Sequence, residues 1–171
     1  MKRYLILFFL STAFYANILF SQEYKTSLGF RGGFTTGLTF KHFIKDGAAL
    51  EAILSTGWRS FGGYQLTGLY EIHKEAFVKN DMKGMFWFYG GGGHVATGYR
   101  VWHHKTNYTG DWVYYNAFGI DGIFGMEYKI EDVPITLSVD VKPFFEIATS
   151  PDAPFGFWDM GFSIRYVFGQ K

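Results

Sequence analysis

The sequence contains no cysteine. This absence excludes a disulfide framework, a catalytic thiol and an anchor built on a lipid-modified cysteine. A domain without disulfides must be held together by its own hydrogen bonds and its own buried surface.

The sequence also has little excess charge of either sign. Lysine and arginine number 16 against 15 aspartate and glutamate residues, and the formal net charge is +1. Because no basic run stands out from this balance, the chain shows no electrostatic sign of nucleic-acid binding.

Long apolar runs are confined to the N-terminus. Lys2 and Arg3 precede an apolar stretch over residues 4–20, and the small residue Ser21 follows it. A basic start, an apolar segment and a small residue predict a secretory signal peptide over residues 1–21. An uncleaved helical anchor is the alternative, but the stretch is at the short end of the roughly 20 residues that a spanning helix needs. Residues 22–171 are predicted to form one domain.

Aromatic residues and glycine are abundant instead. Phenylalanine, tyrosine and tryptophan make up 22% of the chain, and it has 22 glycines but only 4 prolines. Aromatic side chains combined with glycines inside strands suit strongly curved sheets and membrane interfaces.

Apolar and polar residues alternate through three segments in the last third of the chain, residues 118–168. In residues 135–146, for example, Val139 lies on the apolar face, whereas Asp140 and Lys142 lie on the polar face. A period of two predicts extended strands whose two faces meet different media.

Eight extended segments follow one another from residue 24 onwards. The third has Ile53 on its polar face, and the fifth, residues 85–100, has Phe86 and Phe88 there. The longest connection is predicted over residues 101–117. This connection lies at the end opposite both termini, as in bacterial barrels with extracellular loops and periplasmic termini, whereas the connection over residues 74–84 is longer than a typical periplasmic turn.

Two kinds of barrel differ in whether their apolar face points inward or outward. A soluble lipocalin-like barrel buries that face, whereas a membrane barrel exposes it to lipid and keeps a polar interior. Here one face is continuously apolar over roughly 9 to 11 residues, the length of a tilted membrane-crossing strand, and aromatic residues gather near both ends of the segments. The predicted fold is therefore all-β, an eight-stranded antiparallel up-and-down transmembrane β-barrel.

The polar face carries charges of both signs. Side chains just fill the interior of an eight-stranded barrel, so these residues are predicted to form a salt-bridge cluster in the lumen. Its predicted members are Arg31, Lys41, Glu51, Glu71, Asp121, Glu127, Asp140, Lys142 and Arg165.

Residues 24–168 resemble a small eight-stranded outer-membrane β-barrel of the OmpA/OmpX type. The segments that carry the resemblance are GFRGGFTTGLTFKHF, ALEAILSTGW, QLTGLYEIHK and PITLSVDVKP. The final GFSIRYVF resembles the C-terminal strand that such proteins offer to the barrel-assembly machinery, although Gly169, Gln170 and Lys171 follow its last phenylalanine. The resemblance implies a monomer in the outer membrane, with lipid and the assembly machinery as its partners.

The histidines are the main candidates for other chemistry. His103 and His104 are adjacent in the predicted long connection, where an extended chain points them apart, so no shared metal site is predicted. His94 is a candidate base for Ser55 or Ser163, but no motif fixes that geometry, and a hydrogen-bonding role in the lumen is favoured. No catalytic residue, metal ligand or cofactor is predicted.

The predicted function is a structural or surface-interaction role, with a sealed, charge-filled lumen and an exposed connection that meets ligands or partners. The side chains predicted to be exposed there are Trp102, His103, His104, Trp112, Tyr114 and Tyr115. The alternatives are an outer-membrane lipid-modifying enzyme of the acyltransferase or deacylase type and a soluble periplasmic lipocalin-like carrier.

Overall fold

The computed structural model describes residues 24–57, 62–76, 84–104, 110–151, 153 and 156–170. The predicted signal peptide, residues 1–21, lies outside the described residues. Within them the strands are β1 (Tyr24–Gly33), β2 (Thr35–Lys45), β3 (Ala48–Gly57), β4 (Tyr64–Glu75), β5 (Met85–His104), β6 (Gly110–Lys129), β7 (Ile135–Ala148) and β8 (Trp158–Gln170). The described part of the chain holds no helix of sufficient length and apolarity to cross a membrane.

Each strand pairs antiparallel with its neighbours in sequence, and β1 also pairs with β8, so the sheet closes on itself. The closing seam runs from Tyr24 opposite Gln170 to Gly33 opposite Gly161. The predicted eight-stranded antiparallel up-and-down barrel is confirmed.

The two ends of the barrel differ. At the end where β1 begins and β8 stops, here called the terminal end, β2 turns into β3 through Asp46 and Gly47. Gly47 has a φ of 74°, which a glycine adopts without steric cost. The opposite end is called the hairpin end, because β5 and β6 extend farther there than their neighbours.

Side chains alternate between the inside and the outside of the barrel. On β7, Ser138, Asp140 and Lys142 are buried, whereas Val139 and Val141 are exposed by 50% and 37%. The same pattern recurs on the other strands, so the apolar face is the outer one and the polar face lines the interior.

The apolar exceptions to this alternation pack together inside the barrel. Ile53, Leu69, Phe88 and Ile123 form one buried cluster on the wall made by β3 to β6. Phe88 lies directly opposite Gly125 of β6, and the absence of a side chain at Gly125 makes room for its ring. The poor alternation of the fifth segment therefore marks one of the apolar patches inside the barrel.

The long connection predicted over residues 101–117 is wrong. β5 continues to His104 and β6 begins at Gly110, and the two strands pair from Tyr99 opposite Tyr115 to His104 opposite Gly110. A bulge between Ala96 and Tyr99, with Gly98 at a φ of 70°, shifts the alternation by one residue. Because of this shift, the strict period of two breaks off at the bulge, and residues 101–104 do not continue the pattern of the fifth segment.

Replacing Gly125 by alanine should destabilise the barrel by about 1–3 kcal/mol, as overpacking does. An added Cβ would lie 2.5 Å from a ring carbon of Phe88 and 2.5 Å from the carbonyl oxygen of Val139. The free energy of unfolding in detergent micelles, from denaturant titration followed by tryptophan fluorescence, measures the effect.

Gly68→Ala is the matched control, because a Cβ on this glycine meets nothing within 4 Å. It should leave the free energy of unfolding unchanged or slightly higher. Equal losses for the two variants would show that Phe88 does not require the space at Gly125.

Candidate functional site

Ten of the buried charged side chains form two clusters, one in each half of the barrel. The terminal-side cluster consists of Lys41, Glu51, Glu71, Glu127 and Arg165. The hairpin-side cluster consists of Arg31, Asp121, Asp140, Lys142 and Asp159. Every residue predicted for the lumen is buried and belongs to one of these two clusters.

Lys41 is the centre of the terminal-side cluster. Its Nζ lies 2.7 Å from Glu71, 3.3 Å from Glu127 and 3.5 Å from Glu51. The same Nζ lies 4.3 Å from the ring centroid of Phe88, within the range of a cation–π contact. One lysine thus joins carboxylates from three different strands.

Arg165 is the second cation of this cluster. Its Nη2 lies 2.5 Å from Glu51, and its Nη1 lies 3.3 Å from Glu127. Nη1 also donates to the hydroxyl of Ser138 at 2.8 Å, and Nε donates to the hydroxyl of Thr39 at 3.2 Å. The planar guanidinium directs its donors to several acceptors at once, and β8 is thereby linked to β2, β3, β6 and β7.

Two further side chains complete the shell around these carboxylates. Tyr24 donates its hydroxyl proton to Glu127, and His73 Nε2 lies 2.9 Å from Glu71. The imidazole of His73 stacks on Phe88 with ring centroids 5.0 Å apart, which fixes the orientation of the ring. His73 was not among the predicted lumen residues, although its place on the polar face of the fourth segment is a signal that would have found it.

Arg31 organises the hairpin-side cluster. Its Nη2 lies 2.6 Å from Asp140, and its Nη1 lies 3.1 Å from Asp159. Nη1 also donates to the hydroxyl of Thr35 at 2.7 Å, and that hydroxyl donates to Asp159 at 2.6 Å. A Cβ at Gly161 would lie 2.3 Å from the guanidinium carbon, so glycine is needed there for Arg31 to lie against the wall.

A chain of polar contacts continues from Arg31 toward the hairpin end. Lys142 lies 2.8 Å from Asp121 and 3.9 Å from Asp159. His94 follows, with Nδ1 2.7 Å from Asp121 and Nε2 3.0 Å from Glu146. The Glu146 side chain keeps 14% of its surface exposed, so the chain of contacts reaches the solvent there.

Both nitrogens of His94 thus face carboxylate oxygens. A neutral imidazole has one N–H donor, so both hydrogen bonds form only when His94 is an imidazolium or one of the two carboxyl groups carries a proton. Within the described structure the hydrogen-bond partners of His94 are these two carboxylates and include no serine hydroxyl. The hydroxyls of Ser55 and Ser163 are buried without a hydrogen-bond partner, so the structure assembles no nucleophile–base pair from His94 and either serine.

The two clusters have the same composition of charges. Each contains three carboxylates and two cations, and each has one histidine in contact with one of its carboxylates. His73 supplies that contact through Glu71, and His94 supplies it through Asp121. The described residues contain no group of three or more histidine, cysteine or acidic side chains arranged to hold a metal ion.

Apolar side chains lie inside both ends of the barrel. At the terminal end Tyr24, Phe43, Ala49 and Val167 pack together. At the hairpin end a corresponding group is formed by Ala96, Tyr99, Tyr115 and Ala117. These two groups are called the terminal plug and the hairpin plug.

Three of the residues predicted to be exposed at the hairpin end are exposed, namely Trp102, Trp112 and Tyr114. Tyr115 was predicted to be exposed and is instead buried, with 4% of its surface accessible. It belongs to β6 and points inward, where its ring packs 5.7 Å from that of Tyr99. The side chains of His103 and His104 lie outside the description, although both residues belong to β5.

Comparison with known proteins identifies the fold. No family model matches the chain, and no curated protein matches it. Among solved structures, the crystal structure of the N-terminal β-barrel domain of Pseudomonas aeruginosa OprF is similar, with a TM-score of 0.61 and 11% sequence identity. The similarity covers 86% of this chain and 98% of that domain, so the two share the eight-stranded barrel fold along nearly its whole extent.

Replacing Lys41 by methionine should cost about 3–5 kcal/mol, because it leaves three buried carboxylates without their shared cation. Lys45→Met on the same strand is the control, since Lys45 is exposed and should change stability by less than about 0.5 kcal/mol. Denaturant titration of both variants measures the difference. A Lys41 variant as stable as the Lys45 variant would show that the cluster is held without this cation.

Proposed function

We propose that the chain is a barrel of a bacterial outer membrane, exported by its N-terminal segment, with a structural or surface-interaction role. The observation that carries this proposal is that the closed sheet has apolar side chains on its outside and charged side chains on its inside, the reverse of a soluble protein. Large apolar side chains such as Phe30, Phe124 and Phe162 are more than half exposed, whereas Lys41, Glu71 and Arg165 are buried. A protein of this construction is suited to lipid, because closure pairs the backbone groups that lipid cannot solvate.

The outward aromatic residues support this placement. Tyr64 and Trp158 lie toward the hairpin end, whereas Tyr128 and Tyr166 lie toward the terminal end, and all four are exposed. Amphipathic rings concentrate at the two interfaces of a bilayer, and outer-membrane barrels carry such a ring of aromatic residues at each end of their apolar band.

The distribution of the interior side chains along the barrel axis supports the proposal of a sealed lumen. The terminal plug, the two charged clusters and the hairpin plug follow one another from end to end. Eight strands leave an interior that side chains can fill. These features support a barrel that anchors and presents a surface, and they disfavour a water-filled pore.

The surface to be presented is at the hairpin end. In the usual arrangement of such barrels the termini are periplasmic and the longer connections are extracellular. The extended β5–β6 hairpin lies opposite both termini, so this orientation places it outside the cell.

The two alternative functions have less support. The apolar face of this barrel is on the outside, whereas a lipocalin-like carrier needs it inside. A lipid-modifying enzyme needs an activated nucleophile, and His94 is engaged with Asp121 and Glu146.

Fractionation of cells that produce the protein tests the placement. The protein should sediment with the outer membrane, resist extraction by salt and migrate faster on gels before boiling than after it, as a folded barrel does. Recovery in the soluble periplasmic fraction without detergent would overturn the proposal.

Val139→Arg should reduce the free energy of folding into vesicles by about 2–4 kcal/mol if this exposed position lies near the bilayer midplane. Val139 lies in the middle of the apolar face, between Met126 and Phe162 of the neighbouring strands. Val133→Arg, in the turn between β6 and β7, should cost about 0–1 kcal/mol. Equal costs at the two positions would mean that β7 does not cross lipid.

A further inference from the structure

One cation lies on the outer surface of β4, near the terminal end of the barrel. The outward positions that precede it on this strand are uncharged, namely Tyr64, Leu66, Gly68, Tyr70 and Ile72. Lys74 follows them in the same alternation and is partly exposed. Its side chain therefore lies on the face that carries the apolar residues, and not in the lumen.

Two aromatic rings of β5 hold the ammonium group of Lys74. Trp87 is directly opposite Lys74, and Tyr89 is the next residue on the same face. The Nζ of Lys74 lies 5.6 Å from the ring centroid of Trp87 and 5.8 Å from that of Tyr89, within the range of cation–π contacts. The two rings stack on each other with centroids 5.3 Å apart, so the cation is positioned by both.

The apolar outer surface continues from these rings onto β6. Trp87 is opposite Met126, and Tyr89 is opposite Phe124. The rings of Trp87 and Phe124 are 6.3 Å apart, and Phe124 is 56% exposed. The cation and its aromatic partners are therefore at the border of the apolar surface and continuous with it.

The polar groups at this border are mainly hydrogen-bond donors. The ammonium of Lys74 has three N–H donors and no acceptor, the indole of Trp87 has one N–H, and Tyr89 has a hydroxyl. Among the described residues, the contacts of these three side chains are ring contacts, and none of the three forms a hydrogen bond or an ion pair. A positively charged set of donors is complementary to an anion.

The length of β4 gives the depth of Lys74 in a bilayer. Lys74 comes ten residues after Tyr64, the first residue of the strand. At about 3.3 Å per residue and a tilt of about 35–45°, the two lie roughly 23–27 Å apart along the barrel axis. The apolar band of outer-membrane barrels is about 25 Å tall. With Tyr64 at one interface, Lys74 is at the depth of the other, on the side of the termini.

We propose that Lys74, Trp87 and Tyr89, here called the lysine site, bind the phosphate group of an anionic glycerophospholipid in the leaflet on the side of the termini. The ammonium supplies charge and N–H donors to the phosphate oxygens. The two amphipathic rings suit the region between the headgroup and the acyl chains. This inference rests on the proposed membrane placement and adds to it a ligand and a site.

Lipid is the occupant that charge and position together favour. A soluble anion would neutralise Lys74 but would leave the adjoining surface of Tyr70, Phe124 and Met126 uncovered, and all three are exposed. A phospholipid has an anionic group for the cation and acyl chains for that surface. One molecule of this class therefore covers both parts of the site.

Lipid binding by the purified protein in phosphate-free maltoside micelles tests the proposal, with native mass spectrometry as the readout. The probes are dioleoyl phosphatidic acid, dioleoylglycerol and inorganic phosphate, since the two lipids differ only in the phosphate. The wild-type protein should retain phosphatidic acid in clear preference to dioleoylglycerol. Lys74→Gln should weaken the binding of phosphatidic acid about tenfold, the loss expected for a charged hydrogen bond.

Lys45→Gln is the matched control, because Lys45 is an exposed cation at the same end of the barrel without an aromatic partner in the described contacts. This variant should bind like the wild type. Trp87→Leu should weaken binding as well, which provides a second variant if Lys74→Gln folds poorly. The proposal is overturned if both site variants bind phosphatidic acid like the wild type, if Lys45→Gln loses as much as Lys74→Gln, or if inorganic phosphate binds as tightly as the lipid.

Insertion into vesicles separates this result from the proposed function. A wild-type protein that fails to insert and shows no heat-modifiable band would refute the membrane placement itself. A protein that inserts normally but binds phosphatidic acid independently of Lys74 and Trp87 would refute only the lysine site.

Discussion

Closure of β1 against β8 is the constraint on which the other features of this barrel depend. The seam pairs the two strands along their length, so the sheet has no open edge, and its backbone groups can be satisfied without water. With eight strands the enclosed space is narrow and must be filled by side chains. Because the outward positions are apolar, the polar residues share that space, and their charges have to be paired there.

The ion pairs connect strands that are not neighbours. Arg31 of β1 reaches Asp140 of β7, and Lys41 of β2 reaches Glu127 of β6. A slip of β1 by one residue at the seam would turn Arg31 toward the outside and bring Phe30 inside. Replacing a whole buried ion pair by apolar side chains often changes the stability little, whereas removing only one partner is strongly destabilising. We therefore regard the two clusters chiefly as determinants of register.

Much of this architecture could be predicted from the sequence, because the alternation of apolar and polar residues is a local pattern. It is visible without knowledge of which strands pair. It identified which residues lie on the polar face, but it could not say that Arg31 pairs with Asp140 rather than with Glu51, since this depends on the stagger of strands around the closed barrel. The bulge at Gly98 concealed the outer part of β5, and with it the inward orientation of Tyr99 and Tyr115. Phe88 breaks the alternation of apolar and polar residues. Its place inside the barrel depends on the pairing with Gly125, which the sequence does not reveal.

The two clusters differ in their access to solvent. The more accessible cluster lies on the side of the projecting β5–β6 hairpin. The charged side chains of the terminal-side cluster are enclosed behind the terminal plug, with at most 1% of their surface exposed. The hairpin-side cluster instead continues through His94 to Glu146, whose side chain retains 14% exposure. The chain of charges that reaches solvent and the projecting hairpin are thus both at the end opposite the termini. The two-residue turn from β2 to β3 and the enclosed charges make the terminal end the closed one, so the surface-interaction role that we propose is assigned to the hairpin end.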